Sequence, residues 1–461
     1  MYPPKNFDIG WPDLAYGMAA CGRDGDAERW AATVERRFGD GGTGRSARAV
    51  GEGASRCPAT RCLATLSVRS ALDLALRAAA LPRGSEVLMS AVTIPDMWRI
   101  VTEHGLVPVP VDLDASTLLP TAGQWEAAAT PRTKAVVVAH LLGTQAPLGP
   151  LAGLAARRGW LLIEDCAQAY SGPDFRGDPG ADVSLFSFGP IKTATALGGA
   201  VAVVRDPGLL TAMRALHRGW PVQRQDAQAR RVAKYALLAL LTTRPVYTGV
   251  AAAAGALGRD HTSGLQDTVG AFAGTDLMPA IRHRPGAALL ALLDRRLRTT
   301  DAARAVDRRA ATARRLVARL PDPSLVYGAG APVHTYWLCA VPTPDPTATT
   351  ARLRSAGFDA ARPTSLGAVL HRPAASRARG QRRTSCARPC ACRCVPVCRS
   401  ARWTGWRPCS NRRAGGRGRE AGGRRGSSLS RPRSRCSKGA EPPRTAHGPQ
   451  RLPARTPRRP R

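Results

Sequence analysis

The residues with the most chemical promise sit in one stretch, LLIEDCAQAYSGPDFRGDPGADVSLFSFGPIKTATALGGAVAVV, Leu161 to Val204. A short apolar run there ends on two carboxylates, Glu164 and Asp165, and the carboxyl ends of strands are where open α/β sheets bind ligands. Further along, a single lysine, Lys192, stands between apolar turns and is followed by the pair Gly198-Gly199 and another apolar run. Lysine is otherwise scarce in the chain. A lysine held in an apolar setting has a lowered pKa, and its neutral amine is an imine-forming nucleophile. An acidic partner for a pyridinium nitrogen is the other half of a pyridoxal-phosphate (PLP) site. The spacing alone leaves open which of the two carboxylates takes that part.

Positioning such groups requires a sheet covered by helices, and from about Leu63 to Val204 short apolar runs alternate with amphipathic stretches in that manner. The pattern predicts a helix from Ser70 to Ala80, closed off by Pro82, and a strand from Glu86 to Met89. A helix from Asp96 to His104 and strands at Val107 to Val111, Ala135 to Ala139 and Leu161 to Glu164 follow. Apolar, β-branched strands separated by helices imply a largely parallel sheet. Ala233 to Gly258 is rich in Ala and Leu, but Arg244 and Pro245 interrupt it. Each piece is shorter than the roughly 20 residues a membrane crossing needs, so a docked helical pair is expected and no membrane span. Ala287 to Leu320 reads as one Arg-rich helix, His334 to Val341 as a strand, and TATTARLRSAGFDA as a helix with a Gly stop.

Two motifs in this order, EDCAQA at Glu164 to Ala169 and SFGPIK at Ser187 to Lys192, closely resemble the E-D-x-A-Q-A and S-F-x-x-x-K of the DegT/DnrJ/StrS family of PLP-dependent sugar aminotransferases. The resemblance runs from about Leu63 to Leu370. It implies the aspartate aminotransferase fold type: an α/β protein whose three-layer α/β/α PLP-binding large domain (63–232) precedes a small C-terminal α+β domain (282–370). Residues 1–62 would be an N-terminal segment with an irregular loop, and 233–281 the apolar helical insertion. The resemblance further implies that Lys192 carries the cofactor as a Schiff base and that Asp165 pairs with its pyridinium nitrogen. Gln168 would lie against the ring or its 3′ oxygen and Ser187 would hydrogen-bond the phosphate, although both are also compatible with turn or capping roles. Where the family has Ser-Gly-Thr before the first helix, this chain has Ser67-Val68-Arg69-Ser70. The helix amino terminus there suits a phosphate, so Arg69 and Ser70 join the cofactor-binding candidates. The ring-stacking position corresponds to Ile94, with Trp98 as a substitute, and Arg282-His283-Arg284 replaces the Asn-Tyr-Arg turn that reaches a neighbouring subunit's phosphate.

The activity implied is transfer of an amino group from glutamate or glutamine to a nucleotide-linked keto sugar, in a homodimer. A PLP lyase or dehydratase, or a non-catalytic PLP protein on the same fold, is the alternative; dehydratases resembling this family replace the lysine by histidine. A reading from another class is nucleic-acid binding, suggested by the net charge of +35 across 461 residues. That charge is unevenly placed. Residues 371–461 hold 25 Arg and one Lys against two Glu, a net +24 that leaves +11 for everything before them. This last stretch lacks apolar periodicity and is expected to be a disordered basic tail, more in keeping with out-of-frame translation of a GC-rich gene than with an evolved basic arm; nucleic acid is accordingly not the expected partner. Seven of the 12 cysteines also fall in it, without paired Cys-x-x-Cys knuckles or neighbouring His, so no metal site is expected. The few cysteines elsewhere fit a reducing compartment. The opening MYPPKNFDIGWPDL shows no export signal, and a cytoplasmic location is expected.

Overall fold

The computed structural model describes residues 2, 7–39, 61–256, 276–358, 360 and 367–368. The 371–461 segment, with its expected disorder, lies outside the described residues, as does most of the irregular stretch from Gly39 to Cys62.

The strands, in chain order, are β1 (Cys62–Thr65), β2 (Glu86–Ser90), β3 (Val92–Thr93), β4 (Val107–Val111), β5 (Thr133–Ala139), β6 (Thr144–Gln145), β7 (Leu161–Asp165), β8 (Val183–Ser187), β9 (Ala200–Val204), β10 (Val333–His334) and β11 (Gly367–Ala368). Seven of them form one mixed sheet in the order β1-β9-β8-β7-β5-β2-β4. From β4 through β2, β5 and β7 to β8 the pairing is parallel, while β9 runs antiparallel to both β8 and β1. The central strands bury both faces, which is why β5 reads TKAVVVA without polar alternation after its second residue.

The helices are α1 (Trp11–Cys21), α2 (Ala27–Gly39), α3 (Val68–Ala79), α4 (Pro95–Glu103), α5 (Ala122–Ala128), α6 (Gly149–Arg158), α7 (Pro207–Arg218), α8 (Gln225–Leu241), α9 (Arg244–Ala256), α10 (Leu277–Ile281), α11 (Ala287–Thr299), α12 (Ala302–Val317) and α13 (Pro346–Ser355). One large apolar cluster joins α3, α4 and α7 to one face of the sheet. A second joins α2 and α11 to residues of β1, β8 and β9 that point the other way, and a third packs α5 and α6 under β5 and β7. The result is a mixed α/β body with a mainly parallel central sheet.

Several sequence expectations need correction. Helix α3 begins at Val68, because Ser67 is extended and its hydroxyl accepts from the Ser70 N–H; this cap starts the helix before Ser70. The expected single helix from Ala287 to Leu320 is two: Thr300 is extended and Asp301 caps α12 by accepting from the Arg304 N–H at 2.9 Å. Helix α11 packs into the second core cluster, with nine of its residues buried. The expected strand from His334 to Val341 shrinks to the two residues of β10 paired with β6, because Tyr336 takes a left-handed φ of 48° that a ladder cannot accommodate. The apolar pair α8 and α9 is helical as expected and meets at 81°; no single described helix is long and apolar enough to cross a membrane.

Candidate active site

Strand β7 ends in the centre of the sheet, and its last two residues face opposite ways. Glu164 is fully enclosed and accepts three hydrogen bonds: from His140 Nε2 (2.8 Å), Ser184 Oγ (2.6 Å) and the Asp178 N–H (2.9 Å). Burial raises its pKa, and the hydrogen bonds and the His140 charge outweigh that and hold it below the usual range. Glu164 is therefore a satisfied structural anion. Gly177, with φ at 81°, passes so close that a Cβ there would collide with the Glu164 carboxylate.

Asp165 is different. It is buried, one carboxylate oxygen accepts from the Ala167 N–H at 2.9 Å, and the other has no hydrogen-bond partner among the described residues. Burial raises its pKa, only partly countered by the Ala167 N–H and by the charges of Lys192, His140 and Arg69. A carboxyl group in this position gains most from a further cationic or N–H partner. The sequence left Glu164 and Asp165 as equal candidates by spacing; their surroundings separate them.

Lys192 sits in the β8–β9 connection, which is fixed at several points. The Lys192 N–H donates to Gly189 O (3.0 Å), Thr195 Oγ1 donates to Gly189 O (2.6 Å), and the Ala194 N–H donates to Asp8 Oδ2 (2.6 Å). Arg296 Nε reaches Thr195 O at 3.0 Å. Burial lowers the Lys192 pKa to about 8; Asp165 acts to raise it and Arg69 to lower it further. At neutral pH a tenth or so of such an amine is neutral, a few hundredfold more than for an ordinary lysine, by an order-of-magnitude reckoning of about 200 to 300.

The remaining candidates divide. Arg69 lies close enough to act on both Asp165 and Lys192, yet its guanidinium is bound to Asp96 (Nε to Oδ2, 2.6 Å). Ser70 is wholly buried and its hydroxyl donates to Ile281 O at 2.7 Å, so it anchors α3 to α10. The hydroxyl of Ser70 is therefore committed to the fold, although the opening amides of α3 still lack carbonyl partners within the helix. Ser187, at the end of β8, is half-buried and accepts weakly from the Gly189 N–H (3.4 Å). Gln168 accepts from the Leu142 N–H at 2.7 Å, which ties it to the loop after β5. Ile94 caps α4 and Trp98 packs on the first core cluster, its indole N–H buried without a hydrogen-bond partner among the described residues. Arg282 is held by Asp73, and Arg284 by Glu28 and the Trp220 carbonyl, all within this chain.

Two residues were missed. His140 directly follows β5, the neighbour of β7, and acts on both carboxylates; its place at a strand's carboxyl end in AVVVAHLLG was an available signal. Trp337 stacks on the Lys192 ammonium at 4.1 Å from ring centroid to Nζ, and no local pattern links two residues so far apart. His140, Glu164 and Cys166 cluster within 4.8 Å of one another, but Glu164 is saturated and burial, with the adjacent carboxylates, pushes the Cys166 thiol well up. That arrangement is a buried hydrogen-bonded network.

These residues fit PLP: a lysine of lowered pKa, an acid with an open oxygen close enough to act on it, and Arg69 of the α3 amino terminus near enough to act on both. Residues 53–236 match the DegT/DnrJ/EryC1/StrS aminotransferase family. The chain is 37% identical over 169 residues to the erythromycin biosynthesis sensory transduction protein EryC1 of Saccharopolyspora erythraea, covering 36% of this chain and 46% of that one. It is also 37% identical over 171 residues to the dTDP-3-amino-3,4,6-trideoxy-alpha-D-glucose transaminase of Streptomyces venezuelae, covering 36% and 44%. The match thus spans about half the length of these curated relatives. The crystal structure of the aminotransferase TlmJ from Streptoalloteichus hindustanus superimposes with a TM-score of 0.53 at 18% identity, over 77% of this chain and 83% of that one, a likeness of fold.

Proposed function

We propose that this chain, which carries a domain of the DegT/DnrJ/EryC1/StrS aminotransferase family over residues 53–236, is a PLP-dependent transaminase that moves an amino group from glutamate or glutamine to a nucleotide-linked keto sugar. The observation that supports the reading most is the closeness of Lys192, whose pKa is near 8, to Asp165, whose second oxygen is open: each charge acts on the other's protonation. PLP, when bound, supplies an electrophilic carbon for the amine and a ring that takes up carbanion electrons. Lys192 would hold that carbon covalently, and once freed would move a proton between the substrate carbon and C4′ as general base and acid. Asp165 would hold the proton on the ring nitrogen. The opening amides of α3 would bind the phosphate, with Ser187 donating its hydroxyl and Gln168 flanking the ring. The nucleotide-sugar substrate is inferred from relatives such as the dTDP-sugar transaminase. A homodimer, a small C-terminal domain and a cytoplasmic setting belong to the same reading.

The test is borohydride reduction of the purified chain in the presence of PLP. The expected result is cofactor fixed on one peptide containing Lys192. Fixation on another lysine, or none, would sink the assignment. EryC1 is named a sensory transduction protein, which keeps a second reading in view: cofactor binding without turnover. It would show as normal fixation on Lys192 with no conversion to the pyridoxamine form by glutamate, glutamine or any other amino donor.

A further inference from the structure

We infer that Trp337 is a positioning residue for Lys192: its indole face holds the free ε-ammonium in place and favours its charged form. The inference rests on the proposal that Lys192 is the cofactor lysine. The ring is fixed from two directions. Its Nε1–H donates to the Ile191 carbonyl at 2.8 Å, so the indole is fastened to the residue preceding the lysine it covers, while Lys192 Nζ stands 4.1 Å from the ring centroid. The backbone on either side is clamped to the loop after β5, with the Thr335 N–H on Gly143 O (2.7 Å) and the Leu338 N–H on Leu142 O (3.2 Å). Arg309 adds a second tie, from Nε to Thr335 O (3.0 Å) and from Nη1 to Thr193 Oγ1 (3.4 Å).

The close approach depends on residue 143 having no side chain. Gly143 has φ at 97°, and a Cβ there would lie 2.6 Å from the Trp337 nitrogen and collide with the Thr335 hydroxyl. The neighbouring Tyr336 holds a left-handed φ of 48°. Backbone of that kind costs energy and persists where the surroundings enforce it. The strained backbone of Tyr336 and the close approach that Gly143 permits thus converge on one outcome, an indole seated on the lysine.

The other charged groups around Lys192 are Asp165 from β7 and Arg69 from α3. Asp8 and Arg309 reach the adjoining residues, bonded to Ala194 N and Thr193 Oγ1. On the Trp337 segment, His334 and Tyr336 stack on each other at 4.0 Å. Asp165 attracts the ammonium and Arg69 repels it; the indole adds attraction through its π face without adding a charge. A free lysine that must return a proton to a defined carbon is better served by a seat that holds it only while it is charged.

The test first establishes cofactor fixation on Lys192 in the wild type, so that failure of the functional reading is seen separately. The full-length chain is then loaded with pyridoxamine 5′-phosphate, which leaves Lys192 free. Trace acetylation with acetic anhydride across a pH series, read on the Lys192 peptide by mass spectrometry, gives the labelling midpoint. Trp337→Leu is expected to lower that midpoint by about 0.5 to 1 unit, the size of a partly exposed cation–π contact, and Trp337→Phe to stay closer to wild type. A Leu midpoint that is unchanged would overturn the inference. One that rises would also overturn it, because Trp337 would then act only as a cover that excludes water. If Trp337→Leu does not fold, a Phe midpoint shifted as far as removal of the whole contact predicts, or shifted upward, overturns it instead.

Discussion

At the scale of single residues, the two that carry the proposed chemistry were legible because each lies in a local motif whose residue types are rare in ordinary structure. A lone lysine among apolar turns and a carboxylate at a strand end are both visible in the sequence. Spacing alone did not separate Asp165 from Glu164; the motif resemblance chose Asp165, and the physical difference lies in who donates to them. Glu164 receives Ser184, His140 and the Asp178 N–H, all brought in by the sheet and its loops, whereas Asp165 keeps an oxygen open. The Asp165→Asn variant isolates that difference. The amide retains shape but cannot hold a ring proton by charge, and a close carboxylate shifts such a pKa by about 1 to 3 units. We expect partial PLP retention, read from absorbance, with half-transamination slowed about 10- to 1000-fold, the range those units correspond to. Near-normal rates would make Asp165 a strand-end residue only.

At the scale of elements, the strands of the parallel sheet were readable, because burial on both faces writes a continuous apolar run. Two readings after Gly286 failed for the opposite reason, their geometry being set by single backbone choices and remote partners, while the helix read in TATTARLRSAGFDA is α13. Asp301 splits one Arg-rich helix into two, and the left-handed Tyr336 ends a strand after two residues. Helix α3 is also tied down by remote partners. Asp73, on its second turn, is wholly buried and accepts from Arg282 Nε and Nη2 (both 3.0 Å) and from His104 Nε2 (2.9 Å), which joins α3 to α4 and to the segment after α10. Burial raises the Asp73 pKa, and the His104 and Arg282 hydrogen bonds outweigh it, so the net shift is downward. A carboxylate with a depressed folded pKa stabilises the fold above its unfolded pKa of about 3.9, and that contribution is lost as pH falls through the lower folded value. The prediction is that Asp73→Asn destabilises by about 1 to 3 kcal/mol at neutral pH. The melting gap to wild type should narrow below about pH 4. A gap that is equally large at pH 3 would mean that packing, and not charge, is what Asp73 contributes.

At the scale of the whole molecule, the chain divides by charge before it divides by anything else. The net +24 of residues 371–461 contrasts with a body in which acids and bases are matched across elements: Arg37 with Asp294, Arg214 with Glu35, Arg296 with Asp13. Every residue assigned to the cofactor or to Lys192 lies at or before Trp337, and β11, at Gly367–Ala368, pairs with β3 in a separate two-stranded sheet. If the basic stretch contributes nothing to the core, as its lack of apolar periodicity predicts, a chain cut after Leu370 should load PLP to the same absorbance and melt within about 1 °C of the full chain. The same cut decides the nucleic-acid reading. Binding carried by some twenty arginines would fall steeply with salt, on a log–log slope set by the number of phosphates neutralised, and would vanish in the shortened chain. Retention of DNA by the full chain at physiological salt, lost on truncation and accompanied by a drop in melting temperature, would show an ordered basic arm and overturn the frame-error reading. Equal cofactor loading and melting in both chains, with only weak salt-sensitive retention in the longer one, is the expected outcome, because the site needs the sheet and its helices and nothing in its charge balance calls for the last 91 residues.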